Sequence, residues 1–93
     1  MWEIYEHHTL ARKIPRIPVE VLKRYEKWKD IVVISGPESL RHIKGFHDEA
    51  LKGQWAGFRS SRLGLQYRLI YKIESRKLYV RVLDINAHDY RKI

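Results

Sequence analysis

The chain contains no cysteine, so neither a disulfide framework nor a thiolate metal site is open to it. Breakers are few, with 3 prolines and 5 glycines, and no Pro/Gly/Ser-rich stretch divides the chain. The longest apolar run, residues 31–34, falls far short of the roughly 20 residues that span a bilayer. The opening Met-Trp-Glu-Ile-Tyr-Glu lacks the basic and apolar regions of a signal peptide. Acidic residues are scarce too, 11 Asp+Glu against 19 Lys+Arg for a formal net charge of +8. Together these features predict a soluble, cytosolic protein of one domain, residues 1–93.

What remains is sufficient for one core. A hydrophobic content of 44%, with 12% aromatic, argues against disorder. A chain of this length buries roughly 60–65% of its unfolded surface, which leaves little stability to spare. The positive charge is unevenly laid. Residues 40–93 hold 12 Lys+Arg and 5 Asp+Glu, while residues 1–39 hold 7 and 6. The basic residues of the second half interleave with Trp55, Phe58, Tyr67 and Tyr71 and do not form one amphipathic helix, which disfavours a lipid surface. A cationic folded sheet attracts polyphosphate by counterion release, and the asymmetry points to RNA.

Local patterns give the elements. Residues 2–7 alternate loosely and read as a strand. Residues 9–14 suit a short helical turn capped by Thr9 and ended by Pro15 and Pro18. Pro18 then starts a helix with Glu20 in its first turn, and Val21, Tyr25, Trp28 and Val32 recur at helical spacing until Gly36-Pro37. Residues 37–53 read as irregular, with one helical turn at 38–43. Strands are expected at 55–62, 66–73 and 78–85, joined by short turns into an antiparallel meander. The expected fold is α+β in the order β-α-α-β-β-β. Two N-terminal helices pack on one face of a twisted antiparallel sheet and bury Val21, Tyr25, Trp28 and Val32 against Leu69, Tyr71 and Ile73.

The chemistry-bearing residues are arginines, histidines and one acidic pair. If Arg62 pairs with Gln66, then Phe58, Ser60, Arg62, Gln66 and Arg68 share a sheet face. If Arg62 pairs with Leu65, Arg59 joins Arg68 instead, because a one-residue slip exchanges the faces. Either register brings two arginines together, fit to clamp a phosphodiester or simply to form surface ion pairs. His7-His8 points to opposite faces of a strand and is unsuited to one metal ion. His42 and His47 flank a loop in which His47-Asp48-Glu49 offers a base and carboxylates together. His88 follows the last strand. Glu49, His88 and the arginines would suffice for attack by a ribose 2′-OH if loop and C-terminus meet over the sheet. No phosphate-binding glycine loop, His-Glu-x-x-His or nucleophile elbow is present.

Residues 49–71, EALKGQWAGFRSSRLGLQYRLIY, resemble the signature stretch of the RelE/ParE toxin superfamily, in particular its YoeB-like and YafQ-like ribonuclease branches. The likeness rests on Leu51-x-Gly53-x-x-x-Gly57-Phe58, on Arg62 at a strand end and on Tyr-Arg-Leu-Ile-Tyr at 67–71. His88-Asp89-Tyr90 resembles the C-terminal His/Tyr tail, here with Asp89 between the two. The resemblance implies the toxin of a type II toxin–antitoxin pair, an mRNA interferase acting in the ribosomal A site without metal or cofactor and bound by a cognate antitoxin. By position it implies Glu49 as general base and Arg62 and Arg68 as holders of the scissile phosphate. His88 becomes the general acid or substrate-orienting group, and Tyr90 an aromatic that stacks or donates a proton. His47, near a YafQ-like loop histidine, joins Lys52, Arg59, Lys72, Arg81 and Arg91 as expected RNA contacts. The strand lysines of RelE itself are replaced here by Phe58 and Ser60. Two alternatives remain at this stage: a ParE-like toxin directed at DNA gyrase, and a non-catalytic basic RNA-binding module.

Overall fold

The structure, a computed structural model, describes residues 1–74 and 79–87. Its order is β1 (Glu3–Glu6), α1 (Leu10–Lys13), α2 (Val19–Ser35), β2 (Glu49–Ala50), β3 (Arg59–Arg62), β4 (Arg68–Glu74) and β5 (Tyr79–Asn86). Short 3-10 turns follow α1 and fill much of the stretch between α2 and β3. The architecture is α+β with a mixed sheet.

Helix α2 follows from its sequence. Pro18 at the N-cap fixes the entry, Glu20 sits in the first turn, and Val21, Tyr25, Trp28 and Val32 form the buried stripe. The helix stops at Gly36, whose φ of 86° is accessible to glycine at little cost; a Cβ there would lie 2.9 Å from the Trp2 indole nitrogen. Thr9 precedes α1 as expected but makes no side-chain cap. Its hydroxyl instead meets His7 Nδ1 at 2.8 Å.

The five strands lie in the order β1-β5-β4-β3-β2. The expected all-antiparallel sheet is corrected at one edge, where β1 runs parallel to β5 with Glu3 opposite Tyr79 and Glu6 opposite Val82. Parallel neighbours need a long crossover, and α1, α2 and the remaining strands supply it. A second correction is β2, two residues inside the stretch expected to be irregular and paired antiparallel to β3. A third is the start of β3. Gly53 and Gly57 take positive φ values of 65° and 95°, which break the extended run, so residues 53–55 form a 3-10 turn and the strand begins only at Arg59.

Neither expected hairpin register occurs. Arg62 pairs with Arg68, leaving residues 63–67 as the loop, closed by a 2.9 Å bond from Leu63 N–H to the Tyr67 carbonyl. Leu63 is buried in the core, and the turn widens to place it there. Gln66 therefore lies in the loop, and Ser60 faces Ile70. Arg62, Ser60 and Arg68 nevertheless share a face, because the shift preserves parity. Between β4 and β5 the register slips: Tyr71 faces Val82 while Ile70 faces Asp84, so β5 carries one extra residue.

One face of the sheet buries Leu69, Tyr71, Val80, Val82 and Ile85 in a single cluster with Val21, Tyr25, Trp28 and Val32, and Ile73 packs against it. Within this core the Trp28 and Tyr71 rings meet edge to face at 5.2 Å. The other face carries a small cluster of Leu51 and Ile70 with Trp55 and Phe58, and beside it the charged residues.

Candidate functional site

Alternation along three adjacent strands brings Glu49, Ser60, Arg62 and Arg68 to the face away from α2. Glu49 pairs with Ser60, and Arg62 lies directly opposite Arg68. Like charges opposite one another across an antiparallel pair destabilise it, so this placement invites an anion between them. Arg68 is 5% exposed, with Nη1 3.4 Å from the Ser60 hydroxyl and 3.9 Å from Glu49 Oε1. The Glu49 side chain is 38% exposed and reachable from solvent. Arg62 is half-buried and has no ion-pair partner among the described residues. A fixed guanidinium, a second one facing it and an accessible carboxylate can bind a phosphodiester and take a proton beside it.

His47-Asp48-Glu49 does not act as one cluster. His47 is exposed in a left-handed conformation, φ 41°. Asp48 turns its side chain to the α2 side of the sheet, where the carboxylate is fully buried. It accepts two bonds from Arg59, at 2.7 and 2.9 Å, one from the Ser61 hydroxyl at 2.7 Å and one from the Tyr71 hydroxyl at 2.6 Å. Ser61 in turn accepts from the Trp28 indole N–H at 3.0 Å. Arg59, expected as an RNA contact, is thus engaged on the opposite face from Arg68. Burial works against its charge, but the Asp48 hydrogen bond and charge outweigh that and raise its pKa. Burial, then the Asp48 charge, raises Tyr71 also and keeps its hydroxyl protonated. Sequence reasoning missed Asp48. The available signal was that buried Trp28 and Tyr71 each need a polar partner, and Asp48 and Ser61 stand within one strand pair of both.

The other expected contacts scatter around the site. Lys52 is exposed beside a cleft of about 210 Å³ lined by Glu49, Ala50, Leu51 and Lys52 itself. Lys72 shares the Arg68 face, its ammonium 5.7 Å from the centre of the Phe58 ring. Arg81, opposite Lys72, is bound to Glu74 at 2.8 and 3.3 Å. His88, Tyr90 and Arg91 lie outside the described residues. No helix among the described residues is long and apolar enough to cross a membrane.

Asp84 on β5 anchors α1 to this face through Lys13, and it also accepts from the Asn86 amide and the Ile85 N–H. Burial alone would raise its pKa, but the Lys13 and Asn86 hydrogen bonds prevail and lower it. Its contribution to stability is therefore full above the ordinary aspartate value of about 3.9 and is lost as pH falls through the depressed folded value. Asp84→Asn is expected to lose this increment, so the melting-temperature gap from wild type should close as pH drops below about 4. A gap constant from pH 7 to pH 2 would refute that role.

The fold these elements make is the one seen in toxins of toxin–antitoxin pairs. An archaeal RelE in its complex with RelB, from Pyrococcus horikoshii OT3, matches with a TM-score of 0.71 at 21% identity over 92% of this chain and 93% of that one. YafQ from E. coli strain BL21(DE3) matches with a TM-score of 0.74 at 15% identity, covering 95% and 94%. YoeB in its complex with YefM, from Staphylococcus aureus, gives 0.70 at 14%, covering 96% and 99%. No family model matches the sequence, and no protein of curated description does.

Proposed function

We propose that this chain is the toxin of a type II toxin–antitoxin pair and a metal-independent endoribonuclease that cuts mRNA. The observation carrying the reading is the open sheet face on which Arg62 and Arg68 oppose one another beside Glu49. The sequence resemblance and the toxin–antitoxin complexes among the structural matches support it.

In this reading Glu49 takes the proton of the ribose 2′-OH. The 2′-oxygen bonds to phosphorus, and Arg68 with Arg62 offsets the extra charge of the phosphorane. As the bond from phosphorus to the 5′-oxygen breaks, His88 supplies the proton to the leaving oxygen, giving a 2′,3′-cyclic phosphate and a 5′-OH. The role of His88 rests on the sequence pattern and the resemblance, that of Tyr90 on the resemblance alone. Activity should survive EDTA, since no step uses a metal ion. A protein of charge +8 with an open cationic face suits an acidic partner segment, and the antitoxin is that partner.

Expression in cells followed by mapping of mRNA 5′ ends tests the activity. Ribosome-phased cuts are the expected result. DNA damage without cuts would replace this reading with gyrase poisoning, and neither effect would leave a binding module. Dependence on the ribosome should be strong. One shallow face has little surface with which to hold RNA in line, and positioning is worth roughly 7–11 kcal/mol in favourable cases. Purified protein should therefore cut naked mRNA poorly and the same message on a programmed ribosome well, with association weakening steeply as salt rises. Equal rates on free and ribosome-bound message would rule the dependence out.

A further inference from the structure

Next to the two arginines, one step along the same strands, lies a second feature that phosphate chemistry leaves unexplained. A cleft of about 350 Å³ is lined by Trp55, Phe58 and Ile70 on one side and by His7, Thr9, Lys13 and Asp84 on the other. Ile70 is two residues from Arg68 on β4, and Phe58 precedes Ser60 by two. The cleft thus begins about 7 Å from the clamp on the same face. Trp55 and Phe58 meet edge to face, ring centres 5.6 Å apart, which holds both rings in place, and the Lys72 ammonium stands near the Phe58 ring. The polar wall is also fixed. His7 Nδ1 lies 2.8 Å from the Thr9 hydroxyl and 3.3 Å from the Thr9 N–H, which ties the ring to the start of α1. Lys13 and Asp84, paired to each other, add an ammonium and a carboxylate at the rim.

We propose that this cleft is a nucleobase subsite, receiving a base next to the phosphate held by Arg62 and Arg68, with the base on the Trp55/Phe58 wall and its edge toward His7 and Thr9. The chemistry is that of single-stranded RNA recognition, in which aromatic side chains stack a splayed base and a few polar groups read its edge. The volume is at the small end of ligand pockets, enough for one base with its ribose. The cationic surroundings suit the attached phosphates and make an apolar peptide a poor occupant. The inference rests on the proposed function for the neighbouring phosphate, but base binding is measurable without cleavage.

The test is equilibrium binding of an uncleavable 2′-O-methyl dinucleotide and of the same molecule lacking one base, followed by intrinsic tryptophan fluorescence. The intact dinucleotide should bind about tenfold or more tightly than its abasic counterpart. Phe58→Ala should remove that preference while leaving the abasic molecule's affinity unchanged. Arg68→Ala should weaken both molecules alike. His7→Ala should change which bases are preferred rather than abolish stacking. Equal affinity of wild type for the two molecules, or failure to bind either, would overturn the subsite without any appeal to a variant. Preferential base binding by a protein that leaves mRNA intact would keep the subsite and sink the ribonuclease reading.

Discussion

Arg68→Ala should abolish growth arrest and lower the rate of mRNA cleavage by at least about 100-fold, the scale on which removing one preorganised transition-state donor acts. Arg68 is 5% exposed, faces Arg62 across the strand pair and approaches Glu49 at 3.9 Å. Its burial means that truncation also leaves a cavity, so the variant's melting temperature must be read beside its rate. Arg68→Lys separates the two effects, since it restores charge and bulk without the planar fork that grips a phosphate on two oxygens. Part of the activity should return with it. Undiminished cleavage by a folded Arg68→Ala protein would remove the sheet face from consideration as the site.

Trp28→Ala carries the largest expected loss of stability, about 3–5 kcal/mol against the 5–15 kcal/mol that holds such a domain together. Trp28 is fully buried, touches both Tyr25 and Tyr71, and donates its indole N–H to Ser61. The substitution removes a large apolar volume and one end of the hydrogen-bonded chain that runs through Ser61 to Asp48. Thermal unfolding followed by circular dichroism should show a midpoint lowered by more than about 10 °C. An unchanged midpoint would mean that the core is organised around some other residue.

The parts of this fold that could be read from sequence are those set by local rules. Helix α2 announced itself through Pro18, the 21-25-28-32 stripe and Gly36, because each signal acts within a few residues. The face shared by Arg62 and Arg68 was legible only as one of two registers. It holds because the true pairing differs from the Arg62–Gln66 register by an even step, whereas a one-residue slip would have put Arg59 there. Their direct pairing was not legible, because it depends on Leu63 entering the core and widening the loop. Strand β2 has two residues and no periodicity to detect. The parallel pairing of β1 with β5 is a contact between distant parts of the chain, and nothing near residue 3 encodes it. At the candidate site, Glu49, Arg62 and Arg68 came from the motif, whereas the burial of Asp48 and the engagement of Arg59 on the other face emerged only with three-dimensional packing.

The placement of β5 also governs when the site can exist. It lies between β1 and β4 and contributes Val80, Val82 and Ile85 to the core. Among the described strands it is the last to be synthesised, so during translation β1 emerges long before its neighbour and waits unpaired. Such distant pairings slow folding, because the loop must close before the contacts reward it. The surroundings of Arg68, which pairs with Asn86 at the far end of β5, are completed only when that strand docks. A nascent chain that already carries Glu49, Arg62 and Arg68 therefore lacks the sheet that presents them. The topology acts as a timer, withholding the assembled surface until β5 has been made.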